Sequence, residues 1–281
     1  NNNKFIIFLV IFAVSLFFSL THIAAKEAVM KLSPWAVAMF RFITGSLTLF
    51  ILMKLTGKHV ELQPVDRWRF VTLAFLAVPV NQITFLTGIH YTPASHPALM
   101  YATTPAWVLL LAVWLKVEKL RWWKWAGIAL AMIGVAILFA EELLSFRREN
   151  IFGDLLILVA VLSWSLYTAL GKPIVERYGS LETTFLVITF GMFLYLPFGL
   201  IPALRADYSQ TDATVWLAIL YIGVFASGIS YYLWYWLLER IRPSQVAIVT
   251  CTLPPLTAFL AWLIFGTVPT YGLLVSGVIV L

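Results

Sequence analysis

The chain has 281 residues, of which 62% are hydrophobic and 11% charged, against roughly a quarter charged in an ordinary soluble domain. Apolar runs recur along the whole length, which excludes a water-soluble globule and indicates a polytopic membrane protein with little room for an extramembrane domain. The net charge of +6 arises from 19 Lys and Arg scattered in small groups between those runs, a distribution that excludes a nucleic-acid-binding face.

Apolar stretches of spanning length, broken by charge, Pro and Gly clusters, predict helices over residues 5–24, 34–55, 68–89, 95–115 and 122–140. A second set follows over 152–171, 181–203, 213–238, 244–265 and from 269 onward. Counting Lys and Arg on alternate sides of these ten spans gives thirteen against five, with Arg41 inside a span. That asymmetry predicts a cytoplasmic N-terminus. Trp68, Trp122, Trp123 and Trp125 sit beside the basic loops, as interfacial anchors do. The single cysteine, Cys251, forms no intrachain disulfide. The chain opens Asn1-Asn2-Asn3-Lys4 and stops inside an apolar run, which reads as a trimmed fragment with the tenth helix cut short.

The sequence also matches itself. At an offset of 146, Phe18-Ser19-Leu20 falls on Trp164-Ser165-Leu166, Lys26 on Lys172, Val29 on Val175 and Gly45 on Gly191. At an offset of 150, Pro93 falls on Pro243, Pro105 on Pro255 and Gly127 on Gly277. The expected architecture is therefore an all-α membrane protein with ten transmembrane helices, arranged as two five-helix repeats, residues 1–145 and 146–281. Five is odd, so the second repeat enters the membrane from the opposite side; inverted repeats around a central cavity suit alternating access.

Several residues carry a further resemblance: Gly88-Ile89-His90-Tyr91-Thr92-Pro93-Ala94-Ser95 leading to Pro105, Val117-Glu118-Lys119-Leu120 before Gly127-Ile128-Ala129-Leu130, Arg41-Phe42, and Gly153-Asp154-Leu155-Leu156 through Ser163-Trp164-Ser165-Leu166-Tyr167. In order and spacing they resemble the ten-helix EamA type of the drug/metabolite transporter superfamily over nearly the whole chain. The family's acidic residue near the end of the ninth helix, which would match Glu118, is absent from Phe265-Gly266-Thr267-Val268-Pro269. The resemblance implies an exporter of amino acids or other small metabolites in a bacterial inner membrane. It also implies a central cavity ringed by the first, third, fourth, sixth, eighth and ninth helices.

Polar groups are costly inside a bilayer, so those aligned on one helix face are the candidate substrate contacts. The first helix offers Ser15, Ser19 and His22; the third offers Asn81 and Gln82 just after Pro79; the fourth offers His96, Met100 and Thr104, with Tyr101 adjacent. From the second half come Ser163, Trp164 and Tyr167, then Ser227, Tyr231 and Tyr235 at successive turns, then Thr250. Their Tyr and Trp rings suit an aromatic or amphipathic solute. Lys26, Arg41 and Lys172 are candidate structural or gating charges: Arg41 is expected to snorkel or to pair with Glu27, and the lysines to be solvated near helix ends.

Asp154, Glu182 and Asp212 begin helices and Glu239 ends one, so dipole, solvent and Arg240 account for them. The sequence has no phosphate-binding loop, no Gly-x-Ser-x-Gly and no His-Glu-x-x-His, so neither ATP drive nor catalytic residues, cofactor or metal site are predicted. The expected partners are a small-molecule substrate and the lipid bilayer, with no nucleic acid and no protein partner. Protons exchanged through His22, His90 or His96, and uncoupled facilitated diffusion in either direction, both remain open. The non-carrier alternative is a membrane receptor or scaffold.

Overall fold

A computed structural model of the chain describes residues 2–92, 95–119, 122, 126, 129, 133, 150–209 and 211–266. Its elements are helices: α1 (Asn2–Lys31), α2 (Pro34–Leu55), α3 (Pro64–Tyr91), α4 (Ser95–Tyr101), α5 (Thr104–Trp114), α6 (Ile151–Tyr178), α7 (Ser180–Arg205), α8 (Ala213–Arg240) and α9 (Pro243–Ile264). Seven of them, all but α4 and α5, are long and apolar enough to cross a membrane among the described residues. The expected fourth span is split into α4 and α5 just before Pro105. The expected fifth and tenth spans lie outside the described residues, apart from isolated positions in the fifth.

Among the described residues, exposed charged side chains sit near the helix ends, and the helix middles turn apolar faces outward. Phe5, Phe8 and Phe12 on α1, Leu47 and Phe50 on α2, and Phe193, Phe198 and Leu204 on α7 are exposed. Such continuous apolar faces are stable against lipid and unstable against water. The polar side chains turn inward instead, where Ser19, Asn81, Thr168, Ser227 and Thr250 are buried.

Close helix approach depends on residues without bulk. α2 crosses α8 at Gly45 and Gly223: a Cβ on Gly45 would meet the Ser227 Cβ at 3.0 Å, and one on Gly223 would collide with Thr44. Likewise Gly88 of α3 and Gly153 of α6 let those two backbones touch. In lipid there is no hydrophobic drive between helices, so contact at small residues supplies much of the association energy.

Three helices depart from regular geometry near their middles. α3 widens into a π-helical turn over Leu76–Val80, where Pro79 lacks an N–H for the α ladder, and α8 does so over Ile222–Ser230. α9 tightens to a 3-10 turn over Ile248–Thr252 ahead of Pro254 and Pro255.

Neighbour relations are antiparallel where they can be traced at both ends. Tyr195 of α7 donates to the Trp35 carbonyl at the start of α2 (2.9 Å), while Lys58 just beyond the end of α2 pairs with Glu182 at the start of α7 (2.8 Å). α3 and α6 run in the same opposed sense, since Asp66 meets Arg177 at one end and Thr92 meets Asp154 at the other.

Candidate functional site

Where these helices converge they enclose a chamber of about 50 Å³. Its walls are Phe18, Thr21 and His22 from α1, Arg41 from α2, Asn81, Gln82 and Phe85 from α3, Tyr101 from α4, Trp164 from α6, Tyr231 from α8, and Thr250 and Leu253 from α9. Both halves of the chain contribute.

The π-helical turn of α3 ends at Asn81, so the two amides sit where the helix resumes its regular pitch. Asn81 Nδ2 donates to the Ala160 carbonyl (2.7 Å) and to the Tyr101 hydroxyl (3.0 Å). Gln82 Nε2 donates to the Tyr231 hydroxyl (2.9 Å) and to Asn81 Oδ1. One amide network thus ties α3 to α4, α6 and α8, and such networks hold a single arrangement because each lost bond leaves a buried polar group. Gln82 Oε1 is buried without a hydrogen-bond partner among the described residues.

Aromatic rings form the opposite wall. Trp164 packs edge-on against Tyr231 with centroids 4.9 Å apart, and Phe18 sits edge-on to Trp164 at 5.8 Å. His22 stands between Phe85 and Tyr101, 5.9 and 6.3 Å away. Edge-to-face pairs of this kind contribute about 0.5–1.5 kcal/mol each beyond burial.

Arg41 corrects the expectation of a snorkelling or ion-paired residue. It is 2% exposed, and its Nε donates to Ser227 Oγ at 2.6 Å, a contact made possible by the glycine crossing of α2 and α8. Glu27 pairs instead with Lys31 (3.3 Å). Arg41 is the eighth residue of α2, about 10 Å along the axis from its start, too deep for the side chain to reach an interface while it points inward.

His96 also departs from expectation. It points away from the chamber, its Nδ1 2.9 Å from Asp154 Oδ1, and Thr92 Oγ1 donates to the same oxygen at 2.8 Å. Asp154 is therefore a buried tie between α3, α4 and α6, not a solvated helix start. Ser19, Tyr167, Ser227 and Tyr235 lie behind the wall. Ser19 faces the Leu253 carbonyl (3.4 Å), Ser227 holds Arg41, and Tyr167 packs on Tyr235 with centroids 5.0 Å apart. His22, Asn81, Gln82, Tyr101, Trp164 and Tyr231 do reach the chamber. Phe18, Thr21, Phe85 and Leu253 complete it without having been singled out, although Phe18 with His22 and Asn81 with Phe85 stand one helical turn apart, the spacing that would have found them.

The two repeat-related lysines have matching jobs. Lys26 Nζ donates to the carbonyls of Ile89 (2.8 Å), His90 (3.3 Å) and Thr92 (3.0 Å) at the end of α3. Lys172 Nζ donates to those of Leu238 (2.7 Å), Glu239 (3.4 Å) and Ile241 (3.2 Å) at the end of α8, and pairs with Glu176 at 2.9 Å. Both neutralise carbonyls that a helix terminus leaves without partners. The protein supplies their acceptors, in place of the expected water.

Contacts between the halves lie toward both ends of the bundle. At one end Lys31 pairs with Asp212 (3.0 Å) and Thr92 donates to Asp154. At the other, Asp66 accepts from Arg177 (2.6 Å) and from the Tyr178 hydroxyl (2.9 Å), and Glu118 accepts from the Ser244 backbone N–H (3.2 Å) and hydroxyl (2.5 Å). Asp212 lies outside the spanning segments; the Lys31 ammonium and the Val215 N–H hold its carboxyl below the usual range.

A multi-pass, lipid-facing helical bundle with a chamber lined by both halves of the chain has the architecture that a membrane transport protein needs. The chain belongs to the EamA-like transporter family, whose sequence profile matches residues 5–140 and again residues 151–281. It is 23% identical over 254 residues to a Bacillus subtilis protein named uncharacterized transporter YoaV, covering 90% of this chain and 86% of that one. It is 28% identical over 235 residues to uncharacterized transporter YetK of the same organism, covering 83% and 71%. Among solved structures, one crystal structure superposes with a TM-score of 0.76 over 97% of this chain and 92% of that chain; at 19% identity it speaks to the fold alone.

Proposed function

We propose that this transporter is a secondary carrier that works by alternating access, exporting amino acids or related amphipathic metabolites from the bacterial cytoplasm across the inner membrane. The carrying observation is a chamber walled by both halves, with contacts between those halves toward both ends of the bundle. A solute held there is released on one side when one set of ties opens and the other holds. In this reading residues 1–145 and 146–281 are inverted repeats, and the antiparallel course of the corresponding helices α2 and α7 supports it. So does the matched capping by Lys26 and Lys172. The distribution of Lys and Arg supports a cytoplasmic N-terminus.

Purified protein in liposomes preloaded with unlabelled amino acids is expected to accumulate the labelled compound transiently by counterflow. Binding of the labelled compound without counterflow would replace the carrier with a receptor. Counterflow that a pH gradient does not alter would identify an uncoupled carrier.

A further inference from the structure

Among the side chains of the chamber, Arg41 alone bears a fixed positive charge, and the protein does not neutralise it. No carboxylate lies within 4.0 Å of its guanidinium among the described residues, its Nη1 is buried without a partner, and its one hydrogen bond is Nε to Ser227 Oγ. A buried arginine stays charged, and an unpaired buried charge is unfavourable against an apolar side chain of the same volume. Two partly buried cations are treated differently, since Lys26 and Lys172 each donate to three carbonyls. Ser227 fixes the guanidinium through Nε, which leaves the Nη edge of the planar fork for an acceptor with two oxygens.

The other donors of the chamber are neutral: the Tyr101 and Tyr231 hydroxyls accept from the two amides and keep an O–H to give, so Arg41 alone offers charge to an anion. The Asn81 and Gln82 amide donors are already spent on Tyr101, Tyr231, Ala160 and each other, so they are not free for an anion. Gln82 Oε1 remains as an acceptor facing a solute N–H or O–H. Trp164, Tyr231 and Phe85 offer flat apolar surface beside the charge.

We infer that Arg41 is the anion-binding residue of the chamber, and that the solute is an apolar or aromatic compound bearing an oxyanion, a carboxylate in the first instance. This rests on the chamber being the solute site, and it narrows the cargo to acids over amines and neutral compounds.

The test measures binding to the purified, detergent-solubilised protein apart from flux in liposomes. The probes are phenylacetate, phenylacetamide, phenethylamine, phenyl phosphate, inorganic phosphate and a set of aliphatic carboxylates. The acids are expected to bind about tenfold or more tighter than the amide and the amine. Preference for carboxylates over both phosphates assigns a carboxylate cargo; the reverse assigns an organic phosphate to the same residue. Arg41→Gln is expected to weaken binding of the acids about tenfold or more and so to erase the preference, and Arg41→Lys to restore part of it. Amide and amine binding as tightly as the acids, or no acid binding at all, overturns the proposal, and this wild-type comparison decides it even if Arg41→Gln fails to fold. Acid-selective binding without counterflow removes the carrier and keeps the anion site; counterflow indifferent to acid, amide and amine keeps the carrier and removes the anion site.

Discussion

The helix ends and the chamber treat positive charge in opposite ways. At the ends, Lys26 and Lys172 meet carbonyl groups that need a donor, so the charge and the helix termini satisfy one another. In the chamber, Arg41 is anchored by one serine hydroxyl and lies over the Phe42 ring, 5.7 Å from its centroid, with Nη1 buried and without a hydrogen-bond partner among the described residues. The difference separates charge used to build the fold from charge kept for something that comes and goes. Removing the first kind costs stability, whereas removing the second costs binding.

The largest expected loss of stability follows Lys26→Met or Lys172→Met. Each strands three carbonyls, and with hydrogen bonds to charged groups near 1.5–3 kcal/mol the loss should be about 2–4 kcal/mol. Thermal unfolding followed by size exclusion in detergent checks it, and equal melting temperatures for wild type and both variants would break the comparison. Asp66→Asn comes next. Asp66 is fully buried but its partners Arg69 and Arg177 are 64% and 43% exposed, so solvent screening reduces the cost of separating them to about 1–2 kcal/mol. The same variant should shift the accessibility of single cysteines introduced beside the Asp66–Arg177 tie.

Arg41→Met is expected to change stability by less than about 1 kcal/mol, or to raise it, because an uncompensated charge is exchanged for apolar volume. A drop as large as that of Lys26→Met would show that Arg41 belongs with the structural lysines. The smallest effect belongs to Asp212→Asn, which keeps the helix N-cap but removes an exposed ion pair. The Asp212 carboxyl titrates lower in the folded protein than unfolded, so its contribution is present above the ordinary aspartate range and is lost as pH falls through the lowered value. The melting temperatures of wild type and Asp212→Asn should therefore differ slightly at neutral pH and coincide in acid.

Helix boundaries were largely legible because membrane insertion writes them into local composition. The expected span 34–55 is the observed α2, α8 extends its expected span by two residues, and α6 runs seven residues past its expected end and starts one before it. Kinks were partly legible. Pro79 signalled the disturbed centre of α3, but Ile222–Ser230 contains no proline, and its π-helical turn is accompanied by glycines pressed against α2. In the site, Asn81, Gln82, His22 and Tyr231 were readable from the expense of placing polar groups in lipid. His96 was readable as buried but not as the partner of Asp154, which lies 58 positions away in sequence.

By itself the sequence determined the medium, the family and the course of seven apolar spans among the described residues, since each is recorded in residue type and order along the chain. Only the tertiary structure decided which inward groups meet in a chamber and which are consumed by one another. Arg41 shows the reason: whether a buried charge is a fold element or a binding element depends on which atoms of distant helices lie within 3 Å of it, and hydrogen bonds across that distance leave no local trace in the chain.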